Sequence, residues 1–134
     1  MSPKLTEHFS EHEMACRHGL LGDKNNLIIV CQSLEVVRAI INKPIFVISG
    51  YRCPECNQLA GGVKNSQHLL SKAADIYVEN MSIDELGDLI IKLQKERKIP
   101  QGGVGRYYRG KGNRLHEFIH YDIRGRFVEW RQWK

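Results

Sequence analysis

The chain has 134 residues, enough to bury one hydrophobic core but not two, so a single domain over 1–134 is expected. Its 42% hydrophobic and 26% charged residues exclude a disordered or fibrous chain, and the apolar run near Leu27 is far too short to span a bilayer. The net charge of +5 is compatible with a polyanionic partner without identifying one.

The opening residues 1-MSPKLTEHFSEHE-13 lack the apolar core of a secretory signal. Synthesis in the cytosol without a leader is therefore expected, and a monomer is the simplest assembly. Residues 8–18 mix acids and histidines with few apolar positions, which suits a loop or a short helical turn. From Leu27 to Ile41, apolar residues recur at three- and four-residue steps, the pattern of an amphipathic helix that Pro44 stops. The β-branched stretch 45-IFVIS-49, bounded by Gly50, predicts a buried strand. A helical turn over 54–60 and a loop over 61-GGVKNS-66 follow.

The segment 73-AADIYV-78 alternates, with Ile76 and Val78 on one face and Asp75 and Tyr77 on the other. Ser82 and Glu85 have the spacing of a capping box for a helix through Leu86, Leu89, Ile90 and Leu93. Two strands, 103-GVGRYY-108 and 118-FIHYDIR-124, flank a Gly- and Lys-rich loop, and a last strand is expected over 126-RFVEW-130. This order predicts an α+β fold, a small antiparallel sheet with helices packed on one face. Basic residues concentrate late, in 106-RYYRGKGNR-114 and 124-RGRFVEWRQWK-134, where an anionic polymer or plain solvent would suit them equally.

The chemistry lies in the alternation. In 118–124, Ile119, Tyr121 and Ile123 take one face, leaving His120, Asp122 and Arg124 on the other. Pairing this strand antiparallel to 73–78 would set Asp75 beside His120, with Cβ atoms about 4.5–5.5 Å apart. His68, from the preceding loop, would complete a His/Asp/His set. Three protein ligands and an open fourth position describe a catalytic zinc, and two imidazoles with a carboxylate suit zinc better than calcium or magnesium. Each histidine alone would also suit an exposed or hydrogen-bonded position, so spacing leaves both readings open.

Glu117, in E-F-I-H, would supply a base for water activated by the metal. Its parity is opposite to that of His120, so it must sit on a bulge or at the strand entrance. Asp122 would orient a ligand imidazole from behind. Arg52, in 49-SGYRCPECN-57, offers a two-pronged match to a carboxylate or is a solvated loop residue.

Four cysteines without a leader read as thiols rather than a disulfide framework. Cys31 suits the core. Cys53 and Cys56, with Cys16 and His18, have the ligand types of a structural zinc. The first half is only C-R-H, however, where zinc ribbons show two well-spaced pairs, so local packing is the preferred reading.

Taken in order, SGYR, GGVKNSQHLLSKAAD, GGVGRYY and EFIHYDIRG closely resemble the M15 family of zinc D,D-peptidases, in the small single-domain branch common in phages and prophages. The segment 9-FSEHEMACRHG-19 resembles the start of that branch. The resemblance implies that His68, Asp75 and His120 bind one catalytic Zn2+, and that Glu117 is the base. It implies that Arg52 grips a substrate carboxylate and that Ser66 stands beside the first ligand. It also implies hydrolysis of a bond next to a D-residue in peptidoglycan, by a D,D-carboxypeptidase or an endolysin-like endopeptidase. A phage-type release would then bring the chain to the wall, which its basic C-terminal region would hold. The family's usual Gly between the first two ligands is Ser71 here, which costs roughly a kcal/mol if that turn needs a positive φ.

Two other functions compete. A zinc-binding module of the same fold without turnover, of the hedgehog type, would have no need of Glu117. A nucleic-acid binder rests on charge alone and lacks aromatic residues among the basic ones in mid-chain.

Overall fold

The computed structural model describes residues 2–108 and 117–132. In chain order, a short hairpin of β1 (Lys4–Thr6) and β2 (Phe9–Ser10) leads into one helical turn, α1 (Glu11–Met14). The long helix α2 (Lys24–Ile41), strand β3 (Phe46–Ser49), short helix α3 (Pro54–Leu59) and a 3-10 turn over Gln67–Leu70 follow. Then come β4 (Ala73–Tyr77), α4 (Ile83–Lys95), β5 (Gly103–Tyr107), β6 (Phe118–Asp122) and β7 (Val128–Gln132).

Local chemistry accounts for the boundaries. Helix α2 starts three residues before the apolar periodicity because the Asp23 side chain accepts from the Asn26 N–H as an N-cap. It ends at Asn42, in the left-handed region at φ 53°, so the stop comes before Pro44 acts. Ser82 and Glu85 form the expected capping box on α4.

The main sheet has the order β3-β4-β6-β5-β7. Its first three pairings are antiparallel, as expected, whereas β5 and β7 run parallel. The sheet is therefore mixed within an α+β fold. Strand β3 is an edge strand rather than a buried one, with Phe46 and Ile48 exposed, because only β4 pairs with it. The last strand lies two residues later than its sequence suggests.

One face of the sheet carries Ala74, Ile76, Val104, Ile119 and Tyr121, all fully buried against Leu27, Val30 and Leu34 of α2 and Leu86, Ile90 and Leu93 of α4. Burying each of these aliphatic side chains contributes about 1.5–3 kcal/mol. With the helices on that face, the alternate positions Asp75, Gly105, His120 and Asp122 lie on the other. There the functional groups collect.

The late basic cluster divides. Arg106 is 2% exposed and ion-paired inside the protein, so it does not belong to a solvated basic surface. Arg109, Lys111, Arg114, Trp133, Lys134 and the Gly- and Lys-rich loop lie outside the described residues. Among the described residues, no helix is long and apolar enough to cross a membrane.

Candidate metal centre

The register of β4 on β6 sets Asp75 opposite His120. The 3-10 turn brings in His68, held by the Ser66 hydroxyl, which accepts from the His68 N–H at 3.1 Å as the N-cap of that turn. Ser71 closes the turn at φ 60°, the left-handed conformation for which glycine is the easy residue. Its hydroxyl is put to use there, donating to the Leu21 carbonyl at 2.8 Å and accepting from the Asp23 N–H at 2.9 Å.

One ligand-type atom from each of His68, Asp75 and His120 lies within 4.8 Å of the others, and all three side chains are buried. Their partners set the tautomers. His68 Nδ1 is 2.7 Å from the Gly50 carbonyl, which can only accept, so Nδ1 carries the proton and Nε2 the lone pair. His120 Nε2 donates to Asp122 Oδ2 at 2.7 Å, leaving the lone pair on Nδ1. Both lone pairs face Asp75 Oδ1, at 3.2 and 3.1 Å.

Three acceptors so close repel unless protons or a cation lie among them. Ligand atoms about 2.0–2.1 Å from a tetrahedral zinc stand about 3.3 Å apart, so the set fits that ion. His68 would bind through Nε2, His120 through Nδ1 and Asp75 through Oδ1.

With protons in place of a cation, the imidazoles would donate to Asp75 instead, and the surrounding groups keep both carboxyls, Asp75 and Asp122, ionised. Burial alone would raise the Asp75 pKa, but the charge of His68 and hydrogen bonds with His120 and His68 outweigh it, holding the carboxyl well below the usual carboxylate range. Asp122 is fully buried, yet hydrogen bonds from His120, Arg124 Nε and Nη2 and the Gly103 N–H hold it below that range too. Burial opposes charge on His120, but Asp122 and Asp75 together raise its pKa.

The three residues line a cleft of about 650 Å³ with Arg52, Ser66, Tyr107, Phe118, Arg124 and Trp130. Arg52 Nη2 donates to Asp75 Oδ2 at 3.1 Å, and its Nε donates to Ser49 Oγ at 3.1 Å. Glu117 is half-buried and stands immediately before β6, so strand alternation does not govern its direction. Asp122 stands behind His120, accepting from its Nε2 at 2.7 Å.

The peptidase M15 family matches residues 6–122 of the chain. The chain belongs to that family. It is also 38% identical over 52 residues to the zinc D-Ala-D-Ala carboxypeptidase of Streptomyces albus G, a stretch equal to 38% of this chain and 20% of that protein. Zinc is accordingly the metal of this M15 peptidase-family chain, in agreement with its donor set.

Several groups at the M15 centre escape sequence reasoning. Gly50 acts through its carbonyl, which no side-chain pattern records. Arg124 was visible by parity but not as the clamp on Asp122. Trp130, whose ring centroid is 5.2 Å from that of His120, needs the parallel β5–β7 pairing to arrive. The run 102-GGVG-105 is its sequence trace, since a Cβ on Gly105 would lie 2.5 Å from the Trp130 indole.

Proposed function

We propose that the protein is a zinc peptidase that hydrolyses a peptide bond next to a D-amino acid in bacterial cell-wall peptides. The observation that carries this reading is the inward-facing lone pairs of His68 and His120 on Asp75, with each imidazole's other nitrogen tied off and the set lining a cleft. Family membership and the carboxypeptidase relative support this choice of substrate class. Bound there, zinc would supply Lewis acidity toward a carbonyl oxygen and lower the pKa of water toward about 7.

The chain's own residues do the rest. Glu117, three residues before His120, takes the water proton and returns it to the leaving amine. Arg52, anchored through Nε and Nη2, keeps further N–H groups for a substrate carboxylate. Gly50 and Asp122 hold the imidazoles in their ligand tautomers. Arg126 and Arg131, exposed at the surface around β7, suit an anionic wall polymer.

The test is mass spectrometry of fragments released from purified peptidoglycan by the zinc-loaded protein. Loss of a terminal D-Ala marks a carboxypeptidase, and larger fragments mark an endopeptidase. His68→Ala and His120→Ala should each lose one metal equivalent and the cleavage. Glu117→Gln should keep the metal and lose about 10²–10⁴-fold in rate. No fragment from the zinc-loaded wild type would overturn the proposal.

A further inference from the structure

A second cluster lies outside the cleft. The sulfurs of Cys16, Cys53 and Cys56 and a ring nitrogen of His18 all lie within 4.8 Å of one another. His18 Nδ1 is 3.4 Å from Cys53 Sγ and 3.6 Å from Cys56 Sγ. All three cysteines are free. Cys16 and Cys53 are buried, Cys56 is half-buried, and His18 lies at the surface with only its inner nitrogen turned toward the sulfurs.

Both halves of the cluster are shaped for this arrangement. Cys53 is the N-cap of α3, with Pro54 at the first helical position, and its sulfur accepts from the Cys56 N–H at 3.5 Å. C-P-E-C is thereby a helix start that turns both sulfurs to one side. The other half is a tight turn. The Gly19 N–H donates to the Cys16 carbonyl at 2.8 Å, the Cys16 N–H donates to the Leu20 carbonyl at 2.9 Å, and Gly19 has φ 79°. This turn folds His18 back beside Cys16, so the one-residue spacing that argued against a ligand pair is no obstacle.

We propose that Cys16, His18, Cys53 and Cys56 form a closed, four-ligand structural zinc site, separate from the cleft. Zinc–sulfur bonds of about 2.3 Å and a zinc–nitrogen bond of about 2.0–2.1 Å at tetrahedral angles put ligand sulfur and nitrogen about 3.6 Å apart. The two His18 distances match that spacing. Packing of neutral thiols would not require an imidazole nitrogen aimed among three sulfurs. Four protein ligands leave no open position, so the site holds the fold together rather than performing hydrolysis. It ties the segment after α1 to the start of α3. Nearby, the Tyr51 N–H donates to the Met14 carbonyl at 2.8 Å and the Arg52 N–H to the His68 carbonyl at 3.1 Å. The ion would thus brace the loop that carries Arg52.

The test uses the full chain, purified under reducing conditions from cells grown with cobalt. A thiolate-to-cobalt charge-transfer band arises only from cysteine ligation, so a His/Asp/His site cannot produce it. The expected result is that band in the wild type with two metal equivalents per chain. His68→Ala should keep the band and lose one equivalent. Cys56→Ser should lose the band and one equivalent. The absence of the band from the wild type, or a disulfide among Cys16, Cys53 and Cys56, overturns the proposal. The wild-type spectrum decides even where Cys56→Ser fails to fold. A wild type with the band but no peptidoglycan cleavage would sink only the peptidase reading, whereas cleavage without the band sinks only this one.

Discussion

Ser71 shows how one side chain can meet a backbone requirement at a cost and recover part of it. The turn between His68 and Asp75 needs a positive φ, which disfavours a side chain by roughly a kcal/mol relative to glycine. Its buried hydroxyl answers the Leu21 carbonyl and the Asp23 N–H, each bond contributing about 0.5–1.5 kcal/mol. Ser71→Ala keeps the strain and loses both bonds, whereas Ser71→Gly loses the bonds and relieves the strain. Denaturant unfolding should therefore find Ser71→Ala less stable than Ser71→Gly by about 1 kcal/mol. Asp122 would act on a bound metal through His120, whose Nε2 it holds at 2.7 Å. Asp122→Asn should weaken zinc binding about 10–100-fold in competition with a chelator, because the imidazole loses its anionic anchor.

At the scale of elements, the N-terminal hairpin is fastened to α2 by Glu35. That carboxylate accepts from Thr6 Oγ1 and the His8 N–H, both at 2.7 Å, and pairs with His8 Nδ1 at 2.6 Å. Partial burial pushes the Glu35 pKa up, but the hydrogen bonds from His8 and Thr6 outweigh it and lower the pKa overall. A carboxyl lowered on folding contributes stability above its unfolded pKa of about 4.3, and that stability is lost as pH falls through the folded value. Glu35→Gln should thus be less stable than the wild type at neutral pH. The gap should narrow as urea unfolding is repeated below about pH 4.

For the whole molecule, Arg106 joins three elements. From the helix-facing side of β5 it donates to Asp84 and Asp88 of α4 and to Glu129 of β7. Gly87 makes room for it, since a Cβ there would stand 2.9 Å from the guanidinium carbon. Breaking a buried ion pair costs about 3–5 kcal/mol when the abandoned partner stays buried. Here Asp84 and Asp88 are largely exposed and would rehydrate. Arg106→Met should therefore cost less, about 1–3 kcal/mol in denaturant unfolding, with zinc content unchanged.

By itself, the sequence determined which residues share a face. Side-chain direction repeats every two residues in a strand and about every 3.6 in a helix, so Asp75, His120 and Asp122 separated from Ile76, Ile119 and Tyr121 before any pairing was known. Caps were legible for the same local reason, as at Ser82. Tertiary structure alone decided who meets whom. Nothing local to 126–132 makes β7 parallel to β5, and nothing local to 45–49 leaves β3 at the edge. The inward turn of Arg106 and the convergence of Cys16 and His18 on Cys53 and Cys56 depend on residues far apart in the chain. Periodicity records the direction of a side chain, whereas strand order and ligand clusters follow from how distant segments bury one another.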